Sequence, residues 1–470
     1  MISDKFRRQL RSEAQLWQAE NLISASLYEQ LSDRYQFDSL ETASRHRFLA
    51  ILIGLGGILL GLGAITFVAA NWQVWSRELR VALLVSVFVG VNAAGFYLWR
   101  TPLSSDKRQA GWQKRLGEAL LLLGALSLGA NMALMAQMFH IGGSAYGLYL
   151  VWGLGVLAMA YSLRLTSLGV LAVLLIGFGY WLGVFDWSSK EEFSWLQILT
   201  RYMPIVASLI FVPLAYWCRS RAIFAISAIA TVFALEVSIS QEWNGSWGFA
   251  IACILPPALL WGYDDLIWPQ SHSRLFQPIA RTLALLFLAS LFYITSFHWL
   301  WESSPSSIAD GNLLNWTPLL NVGFLGGLTV FEWLRLGRQE RKRPKHKRVD
   351  LTTNTIATFL AITTITNLWH LTFTPIPILA TFIFNVLLFL FAFGLIREGL
   401  ALGNRATFWG GIVLITLQII SRLFEYNTEL ILKSFVFVLC GIGVIAAGIW
   451  YERHFAKLKV AEPKGKIFTS

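Results

Sequence analysis

The sequence has little charge and little cysteine. Charged residues make up 14% of the 470 positions, whereas an ordinary soluble domain carries about 25%. The three cysteines, Cys218, Cys253 and Cys440, lie far apart in or beside apolar segments and form no C-x-x-C pair. We interpret them as small hydrophobic residues of helices. With 56% hydrophobic residues, these absences exclude a soluble enzyme, a disordered protein, a coiled coil and a secreted disulfide scaffold.

Motifs of soluble enzymes are also missing. The sequence contains no G-x-x-x-x-G-K-[ST], H-E-x-x-H or G-x-S-x-G motif, so it lacks the patterns of phosphate loops, zinc proteases and nucleophile elbows. We therefore predict no catalytic residue, no metal site and no cofactor, and we expect that the protein is not an enzyme. An intramembrane enzyme acting on lipid-linked substrates is the last-ranked alternative.

Apolar runs of membrane-spanning length recur almost from end to end. They predict an all-α polytopic helical transmembrane bundle of about fourteen spans. Twelve or thirteen spans are the alternative, because three runs are short and Pro256-Pro257 can break one of them. The predicted limits are 48–70, 79–99, 117–139, 145–162, 166–184, 202–218, 222–240, 247–263, 279–300, 316–334, 352–371, 376–396, 405–423 and 430–451.

The basic residues predict the orientation. Lys and Arg concentrate in the short cytoplasmic loops of membrane proteins. With an N-terminus inside and fourteen spans, 32 of the 38 Lys and Arg residues fall on the inner side. This predicts that both termini are cytoplasmic and explains the net charge of +11 without a nucleic acid partner. The basic run over 341–348 is then a cytoplasmic loop that contacts anionic lipid headgroups.

The N-terminal segment precedes the first predicted span. Apolar residues at helical spacing from Phe6 to Trp17, and a capping box at Ser26-Leu27-Tyr28-Glu29, predict a small helical hairpin. It either packs on the membrane face or binds a protein partner. We divide the chain into a cytoplasmic hairpin (1–47), three transmembrane groups (48–185, 186–334 and 351–451), a basic cytoplasmic loop (335–350) and a basic cytoplasmic tail (452–470).

Short motifs in the first third of the chain carry a family resemblance. They are Trp17 followed by Leu22-Ile23-Ser24, then Ala69-Ala70-Asn71-Trp72, then Ala136-Gln137-Met138-Phe139-His140. Over roughly residues 10–180 the chain resembles an uncharacterised family of bacterial predicted membrane proteins, defined by an N-terminal domain of unknown function. The resemblance implies a bacterial inner membrane, or an internal membrane, and carries no activity.

Polar residues inside apolar spans are the candidate site residues, because a charge at the bilayer centre costs about 2.5–3.5 kcal/mol. The third span contributes Asn131, with Gln137 and His140 towards its outer end. The seventh contributes Glu236, which either snorkels to the surface or couples transport to protons. Asn385, in the twelfth span, is interpreted as a helix–helix hydrogen bond.

The thirteenth span carries a polar stripe. Gln418, Arg422 and Glu425 occupy positions i, i+4 and i+7, which lie on one face of a helix. Either they form a local ion pair at the outer interface, or they contact an anionic substrate or a gate. His140, His298 and His370 are all predicted at outer span ends, but the sequence does not bring them together as zinc binding would require.

Two functions remain open. The span count, the short loops and the intramembrane polar residues favour a secondary transporter or flippase of an unidentified substrate. The alternative is a scaffold or sensor that docks a partner through residues 1–47. The oligomeric state is not inferable.

Overall fold

The chain folds into helices in a computed structural model. The structure describes residues 4–20, 22–35, 74–100, 107–186, 195–242, 246–265, 275–302, 316–341, 347–426 and 429–461, with residues 59, 66, 70 and 72. Most of the first predicted span, most of the basic run and the end of the tail lie outside these residues.

Seventeen helices account for almost all of the described residues, which contain no strand. They are α1 (Asp4–Ala19), α2 (Ala25–Tyr35), α3 (Arg77–Arg100), α4 (Lys107–Phe139), α5 (Ala145–Leu163), α6 (Thr166–Asp186), α7 (Trp195–Arg201), α8 (Met203–Cys218), α9 (Arg221–Glu242), α10 (Ser246–Gly262), α11 (Gln277–Thr295), α12 (Trp299–Glu302), α13 (Trp316–Arg341), α14 (Lys347–Thr372), α15 (Pro377–Leu402), α16 (Arg405–Glu425) and α17 (Leu430–Ala461).

Ten of these helices are long and apolar enough to cross a bilayer: α3, α4, α5, α6, α9, α11, α13, α15, α16 and α17. Helices satisfy every interior backbone group without water, so they are the expected solution for such a sequence. The prediction of an all-α polytopic membrane bundle is confirmed. The number fourteen and the positions of the termini stay predictions.

Two of the other predicted spans are irregular, and α14, which contains the span predicted at 352–371, is a continuous helix that is not among the ten. α7 and α8 pass the same test only together, and they meet at a bend of 82°. α10 is a shorter apolar helix that contains Pro256 and Pro257. In a helix each backbone N–H donates to the carbonyl four residues earlier, and proline has no N–H. The carbonyls of Ala252 and Cys253 therefore lose their helical donors.

The chain forms two compact units, residues 1–89 and residues 90–470, and the boundary between them lies inside α3. In the first unit, α1 and α2 pack together around the buried Ala14, with Leu10, Trp17, Tyr28 and Leu31 against it. In the second unit, one continuous apolar core runs from α4 to α15. A smaller cluster joins α9, α10 and α13 through Leu235, Leu255 and Leu325.

The helix ends are set by local signals. Ser144 begins α5 by accepting a hydrogen bond from the Gly147 N–H, and Asn404 begins α16 by accepting one from Ala406. Gly403 ends α15 in the left-handed region at φ 66°. A Cβ atom at Gly399 would lie 2.5 Å from the Phe408 nitrogen, so this glycine lets α15 and α16 approach closely.

Candidate functional site

The predicted stripe on α16 lies in a hydrogen-bonded network that we call the Arg422 network: Ser296, His298, Thr381, Asn385, Gln418, Arg422 and Glu425. Arg422 Nη1 donates to the Ser296 carbonyl at 2.8 Å and to the Glu425 carboxylate. Its guanidinium lies 4.2 Å from the centre of the Phe297 ring. Both charges are mostly buried, so their pairing offsets the loss of hydration.

The second Glu425 oxygen accepts the His298 backbone N–H at 2.6 Å. Since α11 ends at Thr295, Arg422 and Glu425 together satisfy backbone groups at the turn between α11 and α12. α16 is thereby bonded to the end of α11.

The network continues through α15. Asn385 Nδ2 donates to the Ser296 carbonyl at 2.9 Å and to Thr381 O at 2.8 Å. Gln418 Nε2 donates to the Asn385 carbonyl and side-chain oxygens at 3.0 and 3.2 Å. Asn385 therefore makes the helix–helix hydrogen bonds expected of it, and the network connects α11, α15 and α16.

The other predicted residues lie elsewhere. Asn131 is buried on α4, whereas Gln137 is exposed. His140 follows the end of α4, is exposed and has a φ of 51°. α4 packs on α5 and α6, and the structure does not place these three residues in the Arg422 network.

Two of the predicted outer histidines have separate partners. His298 Nδ1 lies 3.3 Å from Thr381 Oγ1, and its Nε2 lies 3.3 Å from Glu302. His370 Nδ1 accepts the Ile376 N–H at 3.0 Å, and its ring packs edge-on against Trp301. In the part of the chain that the structure describes, no three His, Cys, Asp or Glu side chains are grouped as metal ligands.

A second group of polar residues surrounds α10, which packs against α9, α13 and α14. Glu236 on α9 is half-buried, and its Oε1 makes no hydrogen bond with a described residue. Cys253 on α10 is close enough to Glu236 for the two to interact electrostatically. The buried Asn367 of α14 lies beside the Cys253 thiol.

A carboxylate that our sequence reasoning missed lies beside the C-terminal end of α10. Glu332 on α13 is only 1% exposed, and neither of its carboxylate oxygens is bonded to a described residue. A Cβ atom added to Gly262, the last residue of α10, would lie 3.3 Å from the Glu332 Cβ. Asp264, two residues further on and 2% exposed, interacts electrostatically with Glu332.

A signal for Glu332 was present in the sequence. It is the one acidic residue between Trp316 and Arg338, in an apolar segment that ends among basic residues. Its position near the inner end of the predicted span is typical of an interfacial side chain. Helix packing, which the sequence does not reveal, buries it instead.

The neighbouring Asp265 differs in its bonding. It is completely buried, and its Oδ2 accepts the backbone N–H groups of Phe276 and Gln277 at 2.9 Å each. Its Oδ1 accepts the Tyr216 hydroxyl at 2.5 Å. These bonds cap the start of α11, so Asp265 has a structural role.

A buried amide also stabilises the bend between α7 and α8. Asn321 Nδ2 on α13 donates to the Arg201 carbonyl and to Ser238 Oγ, at 3.0 Å each. Arg201 is the last residue of α7, so Asn321 satisfies a carbonyl at the break. Non-helical backbone at membrane depth is tolerated only with such partners or beside water. α9 and α13 therefore lie beside two irregular helices, the bent α7–α8 pair and the proline-containing α10.

The comparison with protein families is informative for the first third of the chain. Residues 15–169 match the family described as predicted membrane protein (DUF2157). The predicted family resemblance is thereby confirmed. The match includes Asn131, Gln137 and His140, whereas Glu236, Glu332 and the Arg422 network lie beyond it. No curated protein and no solved structure matches the chain.

The confirmed description is that of a multi-pass membrane protein of unknown function. The match gives no catalytic or binding residue, so the two polar groups in residues 170–470 must be interpreted from their own geometry. One is a buried ion pair whose two members bond to each other and to backbone groups. The other leaves a buried carboxylate without a described donor.

Proposed function

We propose that the protein is an ion-coupled secondary transporter or flippase whose path runs between α9, α10, α13 and α14. The observation that carries this proposal is Glu332, which is buried within a membrane helix without a hydrogen bond from a described residue. Ionisable residues at such positions are costly, and they commonly belong to substrate or ion pathways. The substrate is an unidentified solute or lipid.

The irregular helices support the same proposal. Transporters place their binding sites where helices are interrupted, because the interruption frees backbone groups for ligands. Here Pro256 and Pro257 free two carbonyls of α10 on the level of Glu236. The Arg422 network then has a supporting role, in which it holds α16 against the turn after α11.

The transport proposal is testable without knowing the substrate. The purified full chain is adsorbed as proteoliposomes on a solid-supported membrane, and ion gradients are applied with panels of amino acids, sugars, nucleosides and lipid headgroup alcohols. We expect a transient current for the wild type with at least one panel member and its loss in Glu332→Gln. Glu302→Gln, at an exposed carboxylate on α12, is the matched control and retains the current. A wild-type response equal to that of protein-free membranes throughout contradicts the proposal.

A scaffold or sensor is the second candidate, and the α1–α2 hairpin supports it. The hairpin has its own small core and exposes Leu16, Leu22 and Leu27, which a protein partner could cover. Serine at these three positions leaves transport currents unchanged if the protein is a transporter. If it is a scaffold, neither chain gives a current and only the wild type forms a complex with its partner.

The membrane and the orientation belong to the same proposal. We place the protein in a bacterial inner membrane, or an internal membrane, with both termini cytoplasmic. The basic loop over 335–350 then faces anionic headgroups, which attract Lys and Arg near the surface. No enzymatic activity is proposed.

A further inference from the structure

We propose that the coupling ion is the proton and that Glu332 is the group that binds it. This inference rests on the proposed transport function and adds the chemical identity of the ion. Its geometric basis is the environment of Glu332 at the junction of α10 and α13.

The burial of Glu332 is the first argument. An ionised carboxylate that is removed from water needs a cation or several hydrogen-bond donors. The side chain of Asp265 has such donors, namely two backbone N–H groups and a tyrosine hydroxyl. Glu332 accepts no hydrogen bond from a described residue. A single proton neutralises this side chain without any further ligand.

The second argument is the charge around it. Asp264, from the end of α10, is the acidic group that interacts with Glu332. Two neighbouring carboxylates resist being ionised together. Arg281 on α11 lies 5.4 Å from the centre of the Trp261 ring.

The third argument is access along α10. Glu236 interacts with Cys253, near the middle of α10, whereas Glu332 lies beside the last residue of α10. The helix rises about 14 Å from Cys253 to Gly262, so the two carboxylates lie at different levels along α10. A groove of about 420 Å³ between α10, α13 and α14 is lined by Thr329 and Trp333, which flank Glu332 along α13, whereas Glu332 itself is buried and does not line it.

The chemistry is a reversible protonation. A proton from one side adds to a Glu332 carboxylate oxygen and gives the neutral acid, and the same bond breaks when the proton leaves towards the other side. Glu236 is the second carboxylate of the path. Asp264 remains beside Glu332 throughout and favours the neutral acid there.

Infrared difference spectroscopy of the full chain in lipid tests this proposal independently of transport. As the pH is raised, the carbonyl stretch of a protonated carboxylic acid disappears when that acid ionises. We expect the wild type to show such a band, Glu332→Gln to lack it and Glu302→Gln to retain it. A band of equal size in wild type and Glu332→Gln overturns the assignment.

Two additions keep the outcomes separate. If Glu332→Gln fails to fold, Glu332→Asp is measured instead. This variant retains a carboxylic acid in a changed position, so its carbonyl band must shift relative to the wild type. An unshifted band overturns the proposal. If the band is present in the wild type and absent in Glu332→Gln, but the wild type gives no current, the result contradicts transport and leaves Glu332 as a proton-binding group. A current that follows a sodium or potassium gradient, with no Glu332 band, supports transport and refutes the proton.

Discussion

The Arg422 network and the Glu332 junction are two buried polar groups of one membrane unit, and they differ in how their charges are compensated. In the network, Arg422 and Glu425 neutralise each other and also bond the turn after α11. At the junction, Glu332 has an acidic neighbour and no described donor. A charged residue within a span therefore does not by itself identify a functional site. A buried charge without a compensating partner is the stronger indication of one.

Breaking the ion pair has the largest expected effect. Arg422→Ala leaves Glu425 buried and without its cation, and it removes a donor from the Ser296 carbonyl. We expect the free energy of unfolding to fall by about 3–5 kcal/mol, measured by SDS titration in mixed micelles. Arg422→Met with Glu425→Gln removes both charges and should recover part of this loss. A change below about 1 kcal/mol in Arg422→Ala would show that the pair is effectively solvated.

Removing the cap of α11 comes next. Asp265→Asn replaces one acceptor oxygen by an amide that cannot accept the hydrogen bonds made there. Hydrogen bonds to charged groups contribute about 1.5–3 kcal/mol, so we expect a loss of about 2–3 kcal/mol in the same titration. Tyr216→Phe removes only the hydroxyl partner and is the milder control. Equal losses in both variants would contradict the capping role.

The neutral part of the network has a smaller effect. Asn385→Ala removes the amide that joins Ser296, Thr381 and Gln418. Typical net contributions are about 1 kcal/mol for each hydrogen bond, so we expect a loss of about 1–2 kcal/mol in the SDS titration. The double variant with Gln418→Ala should cost less than the sum of the single variants, because the two side chains share a bond. Strict additivity would argue against a connected network.

The smallest effect belongs to the exposed pair. His298 and Glu302 lie 3.3 Å apart, but the Glu302 side chain is 63% exposed. Surface ion pairs contribute little, so Glu302→Gln should change the unfolding free energy by less than about 0.5 kcal/mol. The same titration checks this. A larger loss would disqualify this variant as the matched control for Glu332→Gln.

The helices and part of the candidate site could be predicted from the sequence alone. Apolar runs predict most spans, because a membrane helix is specified by its length and composition. The spacing of Gln418, Arg422 and Glu425 placed them on one face of a helix. Their partners, Ser296 and the His298 N–H, were not predictable, since they come from a turn more than a hundred residues away.

The Glu332 junction was missed for a related reason. Pairing of α13 with α10 depends on Gly262 and on the packing of Trp333, whose indole N–H donates to the Ala258 carbonyl at 2.9 Å. Such contacts are set by tertiary packing rather than by local pattern. The bend of 82° between α7 and α8 is equally invisible in hydropathy, because both halves are apolar.

The most direct measurement compares two substitutions of the same chemistry. Glu425→Gln and Glu332→Gln each replace a buried carboxylate by an amide of the same shape, and the unfolding free energy of both is measured in the same micelles. We predict a loss of roughly 2 kcal/mol or more for Glu425→Gln, because Arg422 loses its counter-charge. For Glu332→Gln we predict no loss, or a gain, because an uncompensated acid is removed. A comparable loss in both would show that Glu332 is as well stabilised as Glu425 and would contradict the account.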